Sequence, residues 1–86
     1  ALRMYEVASR DIVVCNFGGD LYALDNLCTH EEANLDEGEL VGCEIECPRH
    51  GARFDVKSGA VTAPPAFIQL ETFTVRVIGD EFEVNI

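Results

Sequence analysis

What this chain lacks narrows its role before any motif is read. Six lysines and arginines stand against sixteen aspartates and glutamates, a formal net charge of −10. Such a surface repels nucleic acid and anionic lipid and is drawn toward basic protein surfaces. No apolar run approaches the roughly 18 residues that a membrane-spanning helix needs. No charged-then-apolar secretory signal opens the chain. Helical periodicity, internal repeats and low-complexity linkers are all missing as well. Histidine is scarcest where chemistry is concerned, with only two in 86 residues.

Both histidines stand beside a cysteine. The chain reads Cys28-Thr29-His30, then sixteen residues, then Cys47-Pro48-Arg49-His50. Two thiolates and two imidazoles can hold a tetrahedral zinc or a two-iron cluster with mixed ligation. Zinc knuckles and fingers usually keep both cysteines in one pair and both histidines in the other. The mixed pairs found here favour iron. With both histidines taken as ligands, no Ser-His-Asp or Cys-His nucleophile can be assembled, since no third base remains.

Four cysteines in so short a chain could suggest disulfides. Metal ligation explains two of them better and points to a reducing compartment, hence the cytoplasm. Cys15, inside Ile12-Val13-Val14-Cys15, reads as a small buried residue. Cys43 has no evident role. Residues 1–86 make one small domain with a limited core, and a metal centre tying two loops together would help it fold.

The pattern predicts a nearly all-β chain. Strands are expected at Leu2–Val7, Ile12–Phe17 and Leu21–Leu24, with turns at Ser9-Arg10-Asp11 and Gly18-Gly19-Asp20. Asp25-Asn26 then leads into the first Cys-His pair. Short strands follow at Glu39–Val41, Glu44–Glu46 and Arg53–Val56, with a turn at Lys57-Ser58-Gly59. A closing hairpin of Glu71–Ile78 and Phe82–Ile86 turns at Gly79-Asp80. Ala63-Pro64-Pro65-Ala66 cannot lie in a central strand and reads as a surface loop.

Charge is segregated around the ligand pairs. Glu31, Glu32, Asp36, Glu37, Glu39, Glu44 and Glu46 lie between them with no Lys or Arg interspersed, and Arg49, Arg53 and Lys57 follow. Two readings stand: ordinary solvated faces, or a docking surface beside the metal site.

The two pairs, together with Pro48 and Gly51 in Cys-Pro-x-His-Gly, resemble the Rieske [2Fe–2S] motif. The likeness runs from the first hairpin to the last and is greatest to the small ferredoxins that serve aromatic-ring dioxygenases. It implies an all-β fold of stacked antiparallel sheets, with a cluster-binding subdomain of two ligand loops at about residues 26–65. It implies Cys28 and Cys47 on one iron, and His30 and His50 on the other. By the same likeness the chain is a monomeric carrier and not an enzyme. It would take single electrons from a flavin-dependent reductase and pass them to a terminal oxygenase, with the electron crossing the imidazole edge. Arg49 and Arg53, if near the imidazoles, would meet an acidic patch on a partner. The proline loop would cover one side of the cluster.

Three departures from the wider family matter. The disulfide-forming cysteines of respiratory and photosynthetic members are replaced by the Glu-Glu-Ala after His30 and by Arg49. The Ser and Tyr donors after the second loop are here Ala52 and Phe54, which donate nothing from their side chains. A strand that usually precedes the first hairpin is missing, which leaves that sheet edge open to question. Imidazole ligation places Rieske potentials at about −150 to +300 mV, against about −400 mV for plant-type clusters. Missing donors and crowded acids both disfavour the extra electron, so the low end of that range is expected.

Two other readings remain. One is a Rieske domain or subunit of a larger oxidoreductase, although the chain stops at Ile86 and has no spare histidine for a catalytic iron. The other is a structural zinc module held by the same four residues.

Overall fold

The computed structural model describes residues 2–29 and 32–86, and these fold as nine short strands in two antiparallel sheets. Strands β1 (Leu2–Val7), β2 (Arg10–Phe17), β3 (Asp20–Asp25), β8 (Thr72–Ile78) and β9 (Glu81–Asn85) form a five-stranded sheet in the order β1-β2-β3-β8-β9. Strands β4 (Glu39–Val41), β5 (Glu44–Glu46), β6 (Arg53–Asp55) and β7 (Val61–Ala63) form the second, in chain order. The all-β expectation holds, and most strands lie where the sequence placed them.

Three local differences have physical causes. The first turn is Ala8-Ser9, with φ of 52° and 67°, so Arg10 begins β2 and pairs with Val7. A two-residue turn in the left-handed region matches the twist of the flanking strands. Arg10 gains from that placement. Its guanidinium donates to Glu71 at 2.7 Å, lies 3.7 Å from Asp25 and sits over the Phe73 ring at 4.8 Å. Strand β7 is not expected from the sequence, because its last residue, Ala63, abuts the double proline and reads as part of that loop; as the edge strand of its sheet it tolerates the proline that follows. Leu35–Glu37 forms a single 3₁₀ turn, too short to carry a period.

Successive residues of β2 serve opposite faces of the sheet. Val13 and Cys15 enter the main core with Leu24, Leu35, Ile45, Phe54, Val56 and Leu70. Ile12 and Val14 join Ala23 and Phe73 on the other side. Both faces are covered, which is why this strand reads as an unbroken apolar run. The outer strands β1 and β9 meet through Tyr5 and Phe82, edge to face at 5.5 Å. The main core fills the space between the two sheets and reaches the bases of both ligand loops.

Candidate metal centre

The two Cys-His segments are closed at their bases in the same way. In the first, Leu27 pairs with Asn34 and the Cys28 amide donates to the Ala33 carbonyl at 2.9 Å. In the second, Glu46 pairs with Arg53 and the Cys47 amide donates to Ala52 at 2.7 Å. Each cysteine thus closes a loop of four residues, 29–32 and 48–51. His50 is third in its loop at φ 63°, followed by Gly51 at 73°. Two successive left-handed residues bend the loop back, and the second position favours glycine through its backbone angle. Space is not the constraint there, since an added Cβ would meet Glu46 Oε2 only at 3.6 Å. His30 lies outside the described residues, as does Glu31.

Burial separates the two ligand types. Cys28 is 3% exposed and Cys47 2%, and both belong to one core cluster with Ala33, Ala52, Phe54 and Ala66. His50 is exposed, as are Pro48 and Arg49. Two core-facing thiols with an imidazole at the rim fit a two-iron centre whose inner iron takes sulfur and whose outer iron takes nitrogen. Among the described residues no three His, Cys, Asp or Glu side chains gather round a single point.

Three residues, Asn26, Gly38 and Thr29, fix the loops. Asn26, buried at 2% exposure, donates from Nδ2 to Asp36 at 2.9 Å and accepts the Asp36 amide at 2.9 Å. Its backbone carbonyl accepts the Leu35 amide at 2.8 Å, so the 3₁₀ turn hangs from the residue two before Cys28. Gly38 passes against the Glu46 carbonyl so closely that no Cβ fits. Thr29 donates its hydroxyl to the Ile68 carbonyl at 2.5 Å, tying the first loop to the proline segment. In that segment the Pro64–Pro65 bond is cis. Because Ala66 is buried, the segment is only partly the surface loop expected. Sequence reasoning passed over Asn26 and Thr29. A lone amide beside the apolar Leu27-Cys28 was the available signal for the first.

The charges arrange themselves differently from the expectation. Arg53, on β6, is bound by the neighbouring strand β5, 3.2 Å from Glu46 and 3.6 Å from Glu44. Lys57 lies 5.8 Å from the centre of the Phe17 ring, on β2. Of the basic trio only Arg49 belongs to the loop that carries His50. The spare cysteines are held as thiols. Burial pushes Cys15 up to about 11. Desolvation raises Cys43, and so does Asp55, whose Oδ1 accepts its thiol at 3.5 Å. Neither thiol offers a ready thiolate to compete for a metal.

Comparison with known proteins agrees with this geometry. The profile of the Rieske [2Fe-2S] domain matches residues 2–74. The ferredoxin component of a naphthalene 1,2-dioxygenase system from Pseudomonas aeruginosa is 36% identical over 80 residues, 93% of this chain and 77% of the relative. The solved ferredoxin of carbazole 1,9a-dioxygenase from Nocardioides aromaticivorans superposes with a TM-score of 0.94 at 40% identity, covering 98% of this chain and 83% of the other. A ferredoxin solved in a complex of reduced oxygenase and oxidised ferredoxin, also of carbazole 1,9a-dioxygenase, matches at 0.91 and 37%, covering 96% and 86%.

Proposed function

The chain belongs to the Rieske [2Fe–2S] family, and on that premise we propose that Cys28, His30, Cys47 and His50 hold one cluster, and that the chain serves a ring-hydroxylating dioxygenase system. It is a carrier of the ferredoxin-component type and not itself a catalyst. In this reading it accepts electrons from a flavin-dependent reductase, delivers them to the terminal oxygenase, and works as a cytoplasmic monomer. Residues 1–86 act as one domain, with the cluster-binding part at about 26–65.

The observation that carries this is the pairing of two core-buried thiols, at loop bases closed in the same way, with an exposed histidine at the tip of one loop. Bound there, a Rieske cluster takes up and returns single electrons. The residues of the chain do the rest. Cys28 and Cys47 anchor the inner side, and Ala33, Ala52, Phe54 and Ala66 keep that side apolar. His50 brings the rim within reach of a partner. The carboxylates around the loops steer basic surfaces toward it.

The test is an anaerobic absorption and EPR spectrum of the purified protein, oxidised and dithionite-reduced, with iron and zinc content measured alongside. A red-brown protein that bleaches on reduction is expected, with a rhombic signal whose average g lies below that of all-thiolate clusters. Cys28→Ser and Cys47→Ser should lose most of the iron. A colourless protein with one zinc per chain would overturn the reading.

A further inference from the structure

Among the described large apolar residues Phe67 stands out, with 85% of its surface exposed. It sits on a stretch that is otherwise firmly held. Ala66 before it is buried in the core cluster that contains Cys28 and Cys47. Leu70 after it is fully buried and donates its amide to Gly59 at 2.8 Å. Between them Ile68, 54% exposed, has its carbonyl bound by Thr29, the neighbour of Cys28. A ring so exposed on a fixed backbone buries little apolar area for the fold. Its neighbour Ile68 is one hydrogen bond from the first ligand loop.

We propose that Phe67 and Ile68 form an apolar ledge that anchors the terminal oxygenase, seating in an apolar recess rimmed by lysine or arginine. The inference rests on the carrier reading above. The rim chemistry follows from the acids that surround the loops, which steer encounter but add little once salt screens them. A partner held only by such charges would dissociate readily, whereas a buried aromatic supplies salt-independent affinity near the centre of an interface. The oxygenase is the chosen occupant because a ferredoxin of similar sequence has been solved in complex with one.

The test uses the cluster-loaded full chain with its reductase and oxygenase. Phe67→Ser should raise the KM for the ferredoxin in the oxygenase reaction about tenfold or more, by a similar factor at low and high ionic strength. Its EPR signal, reduction potential and KM toward the reductase should stay native. Val77→Ser, which removes an exposed apolar side chain from β8, should leave every value unchanged. A Phe67→Ser KM within about twofold of native, a loss shared by Val77→Ser, an effect confined to the reductase, or an altered cluster signal would each overturn the ledge. A native chain that holds the cluster yet reduces no oxygenase would instead sink the carrier reading.

Discussion

Asn26 and Asp36 bond to each other twice, the side-chain amide of one giving to the carboxylate of the other and receiving its backbone N–H in return, both at 2.9 Å. The pair fastens the 3₁₀ turn to the base of the first ligand loop. Asn26 is almost wholly buried, so its loss leaves polar groups without partners in a dry place. Asn26→Ala should lower stability by about 2–3 kcal/mol and speed release of iron. Denaturant titration and the rate of bleaching under a chelator measure the two effects. A variant as stable as the native protein would show the clasp to be ornamental.

Gly38 makes a second kind of join. A methyl group there would collide with the Glu46 carbonyl, the residue before Cys47. Backbone cannot step aside as a flexible side chain can, so Gly38→Ala should cost about 2 kcal/mol or more and lower cluster occupancy. Gly42→Ala is the comparison, since nothing lies within 4 Å of its added Cβ. Its cost should come from its φ of 61° alone and amount to about 1 kcal/mol.

Ala52 and Phe54 are fully buried in the core cluster that holds Cys47. Restoring a hydroxyl at either place, Ala52→Ser or Phe54→Tyr, should raise the reduction potential. One added hydrogen bond of about 1 kcal/mol corresponds to roughly 40 mV for a one-electron couple. Protein-film voltammetry would read the shift, and a fall in potential would contradict the reasoning from missing donors.

Asp55 accepts the Lys57 amide at 3.1 Å, the Ser58 hydroxyl at 3.0 Å and the Cys43 thiol at 3.5 Å. The Lys57 amide does most to hold its carboxyl below the usual range. A lowered folded value means the stabilisation is complete above the ordinary aspartate range near 4, and is lost as pH falls through the folded value. Asp55→Asn should therefore cost about 1 kcal/mol near neutral pH. The deficit should stay flat from about pH 8 to pH 5 and shrink only below about pH 4. A deficit already fading near pH 6 would point to another group.

The strands were legible because β-branched and aromatic residues alternate between turn residues, and the ligand pairs because two histidines stand so near two cysteines. What stayed hidden depends on register or on distant contacts. That Arg53 spends its charge on Glu44 and Glu46 follows only from the pairing of β5 with β6. The clasp of Asn26 joins residues ten apart, and Thr29 reaches Ile68 across thirty-nine. Strand β7 runs directly into the double proline, which reads as a loop, and the 3₁₀ turn is a single turn too short to show a helical period.

The matching loop bases at Cys28 and Cys47 also bear on the order in which the molecule assembles. Each closes on an amide-to-carbonyl bond only five residues long in sequence. Contacts so local carry little loop-closure entropy and can form within microseconds. The pairing of β3 with β8 joins Ala23 to Phe73, and the proline segment reaches back from Ile68 to Thr29. Such distant closures cost more loop entropy and form more slowly. The bases of both cysteine loops thus close without any distant contact, whereas the tie that joins the first of them to the proline segment spans nearly half the chain.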